Sequence, residues 1–269
     1  MTMIGITLDD RFTAVLRSAG RAVMDVYRSP FSVEQKNDKS PVTLADRRSH
    51  EILTAFLKKH YLYPVLSEEG RDIPYEERRN WETFWLVDPL DGTKEFIKRN
   101  GEFTINVALI HQNRPVFGVV YAPAKDILYH AERGGGARRV ERGKTQSLPL
   151  QPVRDAFVVV GSRSHAMQEF EEYVAAVRKR LGEVTLISAG SSLKFCLIAE
   201  GAADVYPRHG NTMEWDTAAG QAIVEEAGGS VINPETGMPL AYNKESLLNP
   251  HFVAYRSKEV WTSLHNRQI

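Results

Sequence analysis

The sequence is short of three things: thiols, long apolar runs and an excess of either charge. A single cysteine, Cys196, has no intramolecular disulfide partner, which excludes a disulfide scaffold and fits a reducing compartment. Residues Met1 to Asp10 carry neither the basic start nor the apolar core of a secretory leader, and no later stretch is apolar for long enough to span a bilayer. A cytoplasmic setting is therefore expected, with nothing that reads as an anchor. Lys and Arg number 34 and so do Asp and Glu, so no overall basic field exists to gather polymeric nucleic acid. Internal repeats, low-complexity tracts and flexible linkers are missing too. What remains is a 269-residue chain, 42% hydrophobic, able to bury a large core.

The chemistry concentrates in Trp85-Leu-Val-Asp-Pro-Leu-Asp-Gly-Thr-Lys-Glu95. Phe84 to Val87 predicts a short buried strand that ends at Asp88. Pro89 biases Asp88 away from helix and turns the chain sharply, so that Asp88 and Asp91 face one volume. Gly92 and Thr93 then lead into a helical turn, Lys94 to Lys98, whose free N–H groups point at whatever the carboxylates hold. Two further segments repeat the design. Val65-Leu-Ser-Glu-Glu-Gly70 ends an apolar run in Glu68 and Glu69, and Asp216 opens an Ala-rich helix stopped by Gly228-Gly229. Taken singly, these are a surface turn, acidic residues meeting water and a helix cap. Taken together, they put five carboxylates where α/β folds place ligands, an arrangement that repels itself unless cations are present. Oxygen-only donors select hard ions, Mg²⁺ first.

The order of elements predicts a layered α/β (α+β) architecture. Phe12, Val15, Leu16, Ala19, Val23 and Val26 recur at helical spacing, as do Ile52, Leu53, Phe56 and Leu57. Between these helices the polar stretch Lys36 to Asp46 predicts a hairpin or mobile loop that delivers Asp46 to the site. Thr104 to Ile110 and Val116 to Tyr121 predict a hairpin, followed by a strand from Ile127 to Ala131. Gly134-Gly-Gly136 breaks that pattern, and Arg138, Arg139, Arg142 and Lys144 read as a solvated loop. After Pro149 and Pro152 the pattern alternates: strand Phe157 to Val160, helix through Phe170, Val174 and Val177, strand Val184 to Ile187, helix Leu193 to Ala199. Two lobes are expected, 1–149 with most of the metal ligands and 150–269 with Asp216 and the specificity segments, forming one compact catalytic unit. Cys196 falls within an apolar helical pattern and reads as a core residue.

The spaced set Asp46, Glu68-Glu69, Asp88-Pro-Leu-Asp-Gly-Thr93 and Trp215-Asp-Thr-Ala-Ala219 resembles the signature of the lithium-sensitive, magnesium-dependent phosphatases of the inositol monophosphatase superfamily. Gly161-Ser-Arg-Ser-His165, Gly190-Ser-Ser-Leu-Lys194 and Tyr206-Pro-Arg208 resemble that superfamily's bacterial 3′(2′),5′-bisphosphate nucleotidases. The resemblance implies the αβαβα sandwich of the inositol monophosphatase and fructose-1,6-bisphosphatase type. It also implies one Mg²⁺ at Glu68, Asp88 and the Leu90 carbonyl, a second at Asp88, Asp91 and Asp216, and in some members a third, weaker ion near Glu68. Asp46 and Thr93, aided by Glu69, would orient and deprotonate the attacking water. Glu68, Leu90, Asp91, Gly92, Thr93 and Asp216 would also bind substrate. Ser162, His165, Gly190, Ser192, Lys194 and Arg208 would meet the rest of a small bisphosphate nucleotide, and Glu214 a sugar hydroxyl. The implied reaction is removal of the 3′-phosphate of adenosine 3′,5′-bisphosphate or its sulfated relative, in sulfur assimilation. Some resembling bacterial enzymes are assigned to the cytoplasmic face of the inner membrane. The alternatives are an inositol monophosphatase or broader sugar phosphatase on the same metal core, and a non-catalytic nucleotide-binding sensor.

Overall fold

A computed structural model describes residues 5–35, 41–150, 156–162 and 167–265. Helix α1 (Asp10–Arg28) starts where Asp9 accepts the Phe12 N–H at 2.8 Å, a side-chain cap for an otherwise unpaired donor. Helix α2 (Leu44–His60) follows a two-stranded antiparallel ribbon of β1 (Val33–Gln35) and β2 (Pro41–Thr43). Residues 36–40 of the expected hairpin lie outside the described residues. Asp46 is not on that ribbon: it sits in the first turn of α2, where it closes a capping box with Thr43.

Next come β3 (Val65–Ser67), α3 (Tyr75–Arg78), β4 (Thr83–Asp91), α4 (Thr93–Ile97), β5 (Thr104–His111), β6 (Arg114–Ala122), β7 (Ile127–Glu132), β8 (Gly136–Glu141) and β9 (Lys144–Ser147). Their seven strands form one sheet in chain order, antiparallel except for the parallel pair β3–β4. The basic run expected as a loop is therefore a hairpin. Arg138 and Arg139 lie in β8, and Arg139 pairs with Glu141 at 2.8 Å, so the charges line a sheet margin with their stems against it.

The remaining elements are β10 (Phe157–Gly161), α5 (Met167–Leu181), β11 (Val184–Ser188), α6 (Leu193–Glu200), β12 (Val205–Arg208), α7 (Glu214–Glu226), β13 (Ser230–Ile232), β14 (Phe252–Tyr255) and α8 (Lys258–His265). The second sheet is mixed, in the order β11-β10-β12-β14-β13. No described helix is long and apolar enough to cross a membrane.

Period-two alternation builds the layers. In β4 and β5, Trp85, Val87, Val107 and Leu109 face α1 and α2, in a core with Phe12, Leu16, Ala19, Val23, Leu53 and Leu57. Phe84, Leu86, Ala108 and Ile110 face the other way, into a second core that contains Phe195 and Cys196 of α6, Ile223 of α7, and Val158, Tyr206 and Phe252 of the second sheet. Beyond that sheet, Val159, Val205 and Val253 pack on Val174 and Val177 of α5 and Val260 of α8. The layers thus run helix, sheet, helix, sheet, helix, as the resemblance implies.

Gly118 sets how closely α7 approaches the first sheet. A Cβ there would stand 2.7 Å from both the Ala219 carbonyl oxygen and the Ala222 Cβ, with no flexible side-chain end to yield. Gly118→Val is expected to lower stability by about 1–3 kcal/mol through overpacking, read as a lower denaturant midpoint with an unchanged slope.

Candidate active site

Strand β4 does not stop at Asp88. Asp88 pairs with Asn106 and Asp91 with Thr104, so Pro89 and Leu90 stand opposite Ile105 alone, a bulge of one extra residue. Proline fits there because the bulged residue needs no ladder N–H. In a regular strand, residues three apart point to opposite faces. The extra residue cancels that parity and turns Asp88 and Asp91 to the same side. The Ser49 hydroxyl on α2 donates to the Pro89 carbonyl at 2.7 Å, and the Leu90 N–H donates to Asp88 Oδ1 at 3.0 Å, which together hold the bulge.

The other two aspartates come from helix starts. Asp46 and Asp216 each occupy the third helical position and reach back to the preceding cap: Asp46 Oδ2 accepts the Thr43 N–H at 2.8 Å, and Asp216 Oδ2 accepts the Met213 N–H at 2.8 Å. Each spends one oxygen on its own helix start. Asp46 Oδ1 accepts the Thr93 hydroxyl at 3.3 Å. Gly92, at φ 89°, supplies the left-handed turn that starts α4 beside Thr93.

Burial makes these carboxylates reluctant anions. Asp88 is pushed well above the usual carboxylate range by burial and then by Glu68, Asp91 and Asp216. Asp216 moves the same way, through burial first and then Asp91 and Glu68. Asp46 is raised by burial, partly offset by its bonds from Thr43. A cation among them would restore the charged forms, and the donor set is all oxygen, so the residues fit a hard divalent ion. Among the described residues no three carboxylate, imidazole or thiolate groups are already drawn onto one point. The site is a charged wall, with ligands still to be gathered.

That wall borders a cavity of about 210 Å³, where Glu68, Asp91, Gly92, Thr93 and Asp216 contribute to the lining. Ser162, Gly190, Ser192, Lys194 and Arg208 line the same cavity, so segments distant in sequence share one space. Asp88 and Leu90 lie behind it, almost fully buried, and Asp46 stands behind Thr93. Lys194 Nζ lies over the Tyr206 ring at 5.4 Å and donates to the Ser191 carbonyl at 2.6 Å and the Ala189 carbonyl at 3.2 Å. Burial pushes its ammonium down to about 8. Arg208 donates to the Gly210 and Asn211 carbonyls at 3.1 and 3.0 Å. His165 lies outside the described residues.

Two sequence expectations need revision. Glu214 does not face the cavity. Two residues from Asp216 on a helix is a rotation of about 200°, to the opposite side. Its fully buried carboxylate accepts Asn243 N at 2.7 Å, Lys244 N at 3.0 Å and Lys244 Nζ at 2.6 Å. Buried Arg78 of α3 holds the same segment through Asn243 Oδ1 at 3.0 Å and the Lys244 and Glu245 carbonyls at 2.6 and 2.8 Å. The Ser192 hydroxyl borders the cavity but is engaged internally, donating to Asp91 Oδ2 at 2.7 Å. Asn106, whose Nδ2 lies 3.3 Å from Asp91 Oδ2, escaped the sequence reading. The signal was present: an amide in the otherwise apolar run Ile105-Asn-Val-Ala-Leu-Ile110. Tyr206, Phe195 and Phe252 also line the cavity; the first two belong to segments singled out in the sequence, and Phe252 does not.

With this geometry in view, comparison with known proteins is direct. A curated 3′(2′),5′-bisphosphate nucleotidase CysQ from Escherichia coli strain K12 is 48% identical over 248 residues, covering 90% of this chain and 97% of that protein. The crystal structure of CysQ from Bacteroides thetaiotaomicron, described as a bacterial member of the inositol monophosphatase family, superposes with a TM-score of 0.82 at 47% identity, covering 91% of this chain and 95% of the other. The extragenic suppressor protein suhB of Bartonella henselae superposes with a TM-score of 0.74 at 26% identity, over 96% and 97% of the two chains. The sequence profile of the inositol monophosphatase family matches residues 8–268, and the chain belongs to that family.

Proposed function

We propose that this chain is a 3′(2′),5′-bisphosphate nucleotidase, a phosphomonoesterase that takes the 3′-phosphate from adenosine 3′,5′-bisphosphate and from its sulfated relative. The observation that carries this reading is the mixed charge of the cavity: Glu68, Asp91 and Asp216 share its lining with Lys194 and Arg208. A substrate with two phosphates, one to be cleaved and one to be kept, suits that arrangement. The similarity to the CysQ nucleotidases supports it. The substrate would be met in the cytoplasm.

The family implies dependence on a divalent metal. In this reading Glu68, Asp88 and the Leu90 carbonyl would hold one Mg²⁺ and Asp88, Asp91 and Asp216 a second. Such ions neutralise phosphoryl charge, activate water and stabilise the leaving alkoxide when bound. The protein's share is positional. Asp46, raised by burial, accepts a proton relayed through the Thr93 hydroxyl and so orients and deprotonates the attacking water, with Glu69 adding negative charge nearby. Gly92 lets the backbone approach the phosphoryl oxygens, and a Cβ there would meet Ser191 Cβ at 3.1 Å. Lys194 and Arg208 face the phosphate that stays, with Ser162 and Gly190 beside them and the aromatic rings of Tyr206 and Phe252 flanking the sugar or base.

Asp91→Asn is expected to lower kcat/KM by more than the roughly 10–100-fold that losing a supporting residue costs a metal site, with melting temperature held. Phosphate release from adenosine 3′,5′-bisphosphate and from inositol 1-phosphate, compared with Mg²⁺ present, should favour the nucleotide. Preference for inositol phosphate would leave the metal site standing and overturn the specificity, and turnover of neither would point to a binding protein without catalysis.

Lys194 makes the pH dependence specific. Its folded value of about 8 lies below the ordinary 10.5, so the ammonium is lost from the folded protein first as pH rises. Affinity for the retained phosphate should therefore fall above about pH 8, seen as kcat/KM declining for the bisphosphate and not for a simple monophosphate. Stability linked to this residue moves the other way: the unfolded chain holds more protons between about 8 and 10.5, so the burial penalty disappears across that window. Lys194→Met should abolish both trends.

A further inference from the structure

Three aspartates at and behind the cavity wall share a device. Each has one oxygen already occupied: Asp88 Oδ1 by the Leu90 N–H at 3.0 Å, Asp216 Oδ2 by the Met213 N–H at 2.8 Å, and Asp91 Oδ2 by side chains. At Asp91 the occupation is heaviest. Oδ2 accepts the Ser192 hydroxyl at 2.7 Å and Asn106 Nδ2 at 3.3 Å, with the Thr104 hydroxyl at 3.5 Å. Asn106 Nδ2 also donates to Ser192 Oγ at 2.9 Å, and Ser192 Oγ stands 2.9 Å from the Asp216 carbonyl oxygen.

This polar chain crosses between lobes. Asn106 comes from β5, directly opposite Asp88, and Ser192 from the start of α6; Asp91 ends β4 and Asp216 opens α7. Ser192 and Asn106 are each 1% exposed, so water does not compete for the bonds. The amide orientation follows from chemistry, because a carboxylate only accepts and the NH₂ must face Asp91. Asn106 Oδ1 is left buried with no partner among the described residues, an unpaired acceptor that a mere packing role does not explain.

We propose that Asn106 and Ser192 are positioning residues that restrict Asp91 to a single free oxygen, so that the aspartate cluster offers one-oxygen ligands suited to a small octahedral cation. The inference rests on the magnesium reading above. Mg²⁺ demands near-ideal octahedral geometry at short distance, whereas Ca²⁺ accepts two-oxygen carboxylates and a looser shell. Releasing Asp91 Oδ2 should therefore weaken Mg²⁺ more than Ca²⁺. Neither residue needs to touch the substrate for this.

The test is calorimetric titration of the substrate-free, metal-stripped protein with Mg²⁺ and, separately, with Ca²⁺. Ser192→Ala is expected to weaken Mg²⁺ binding by about tenfold while Ca²⁺ affinity stays within about twofold, in line with other supporting residues of metal sites. Asn106→Leu, close in volume, should shift the ratio the same way and carries the test if Ser192→Ala does not fold. Equal losses for both ions would mark a general structural role and overturn the proposal, as would Mg²⁺ affinities unchanged in both variants. If the unsubstituted protein takes up no Mg²⁺, the magnesium reading itself fails and the proposal with it.

Discussion

Mutual repulsion among buried carboxylates is the constraint on which the site depends. Asp88 and Asp216 are both driven toward their neutral forms by burial and by each other's neighbours, an arrangement no stability argument would choose. The fold tolerates it by giving each aspartate a donor. Those donors are mostly backbone N–H groups at a bulge or a helix start, where they would otherwise lack a partner. Carboxylate placement and secondary-structure termination are thus one design, which is why Asp216 can be helix cap and cavity wall at once.

The fold was legible where periodicity was long. α1 and α2, the β5–β7 meander and the β10–α5–β11–α6 alternation follow from spacing of apolar residues, because these elements send their apolar side chains into the cores, β11 through Val184. Short elements were not: β12, β13 and β14 span 4, 3 and 4 residues, too few to show a period, and their existence depends on partners far along the chain. The basic hairpin β8–β9 was hidden because arginine stems pack along a sheet margin while their heads look like loop residues.

Within the site, residues on local motifs could be found and residues acting through space could not. Asp88, Asp91 and Asp216 announce themselves by their neighbours in sequence. Pro89 was read as the end of a strand, whereas it sits inside one, since a bulge and a turn use the same residue types. Glu214 shows the reverse error. Adjacency to the Trp215-Asp216 motif suggested a place in the cavity, but helical rotation carries it to the far side. Asn106 needed the sheet register before its role could be seen, because only pairing with β4 puts it across from Asp88.

The contacts that bury Glu214 also tie distant parts of the chain to the site. Its buried carboxylate accepts from Asn243 and Lys244, while Arg78, far upstream, donates to the carbonyls of Lys244 and Glu245. The first turn of α7, which carries Asp216, thus leans on a strut that reaches from α3 through residues 243–245. A change at Arg78 would be felt at the cavity without touching it.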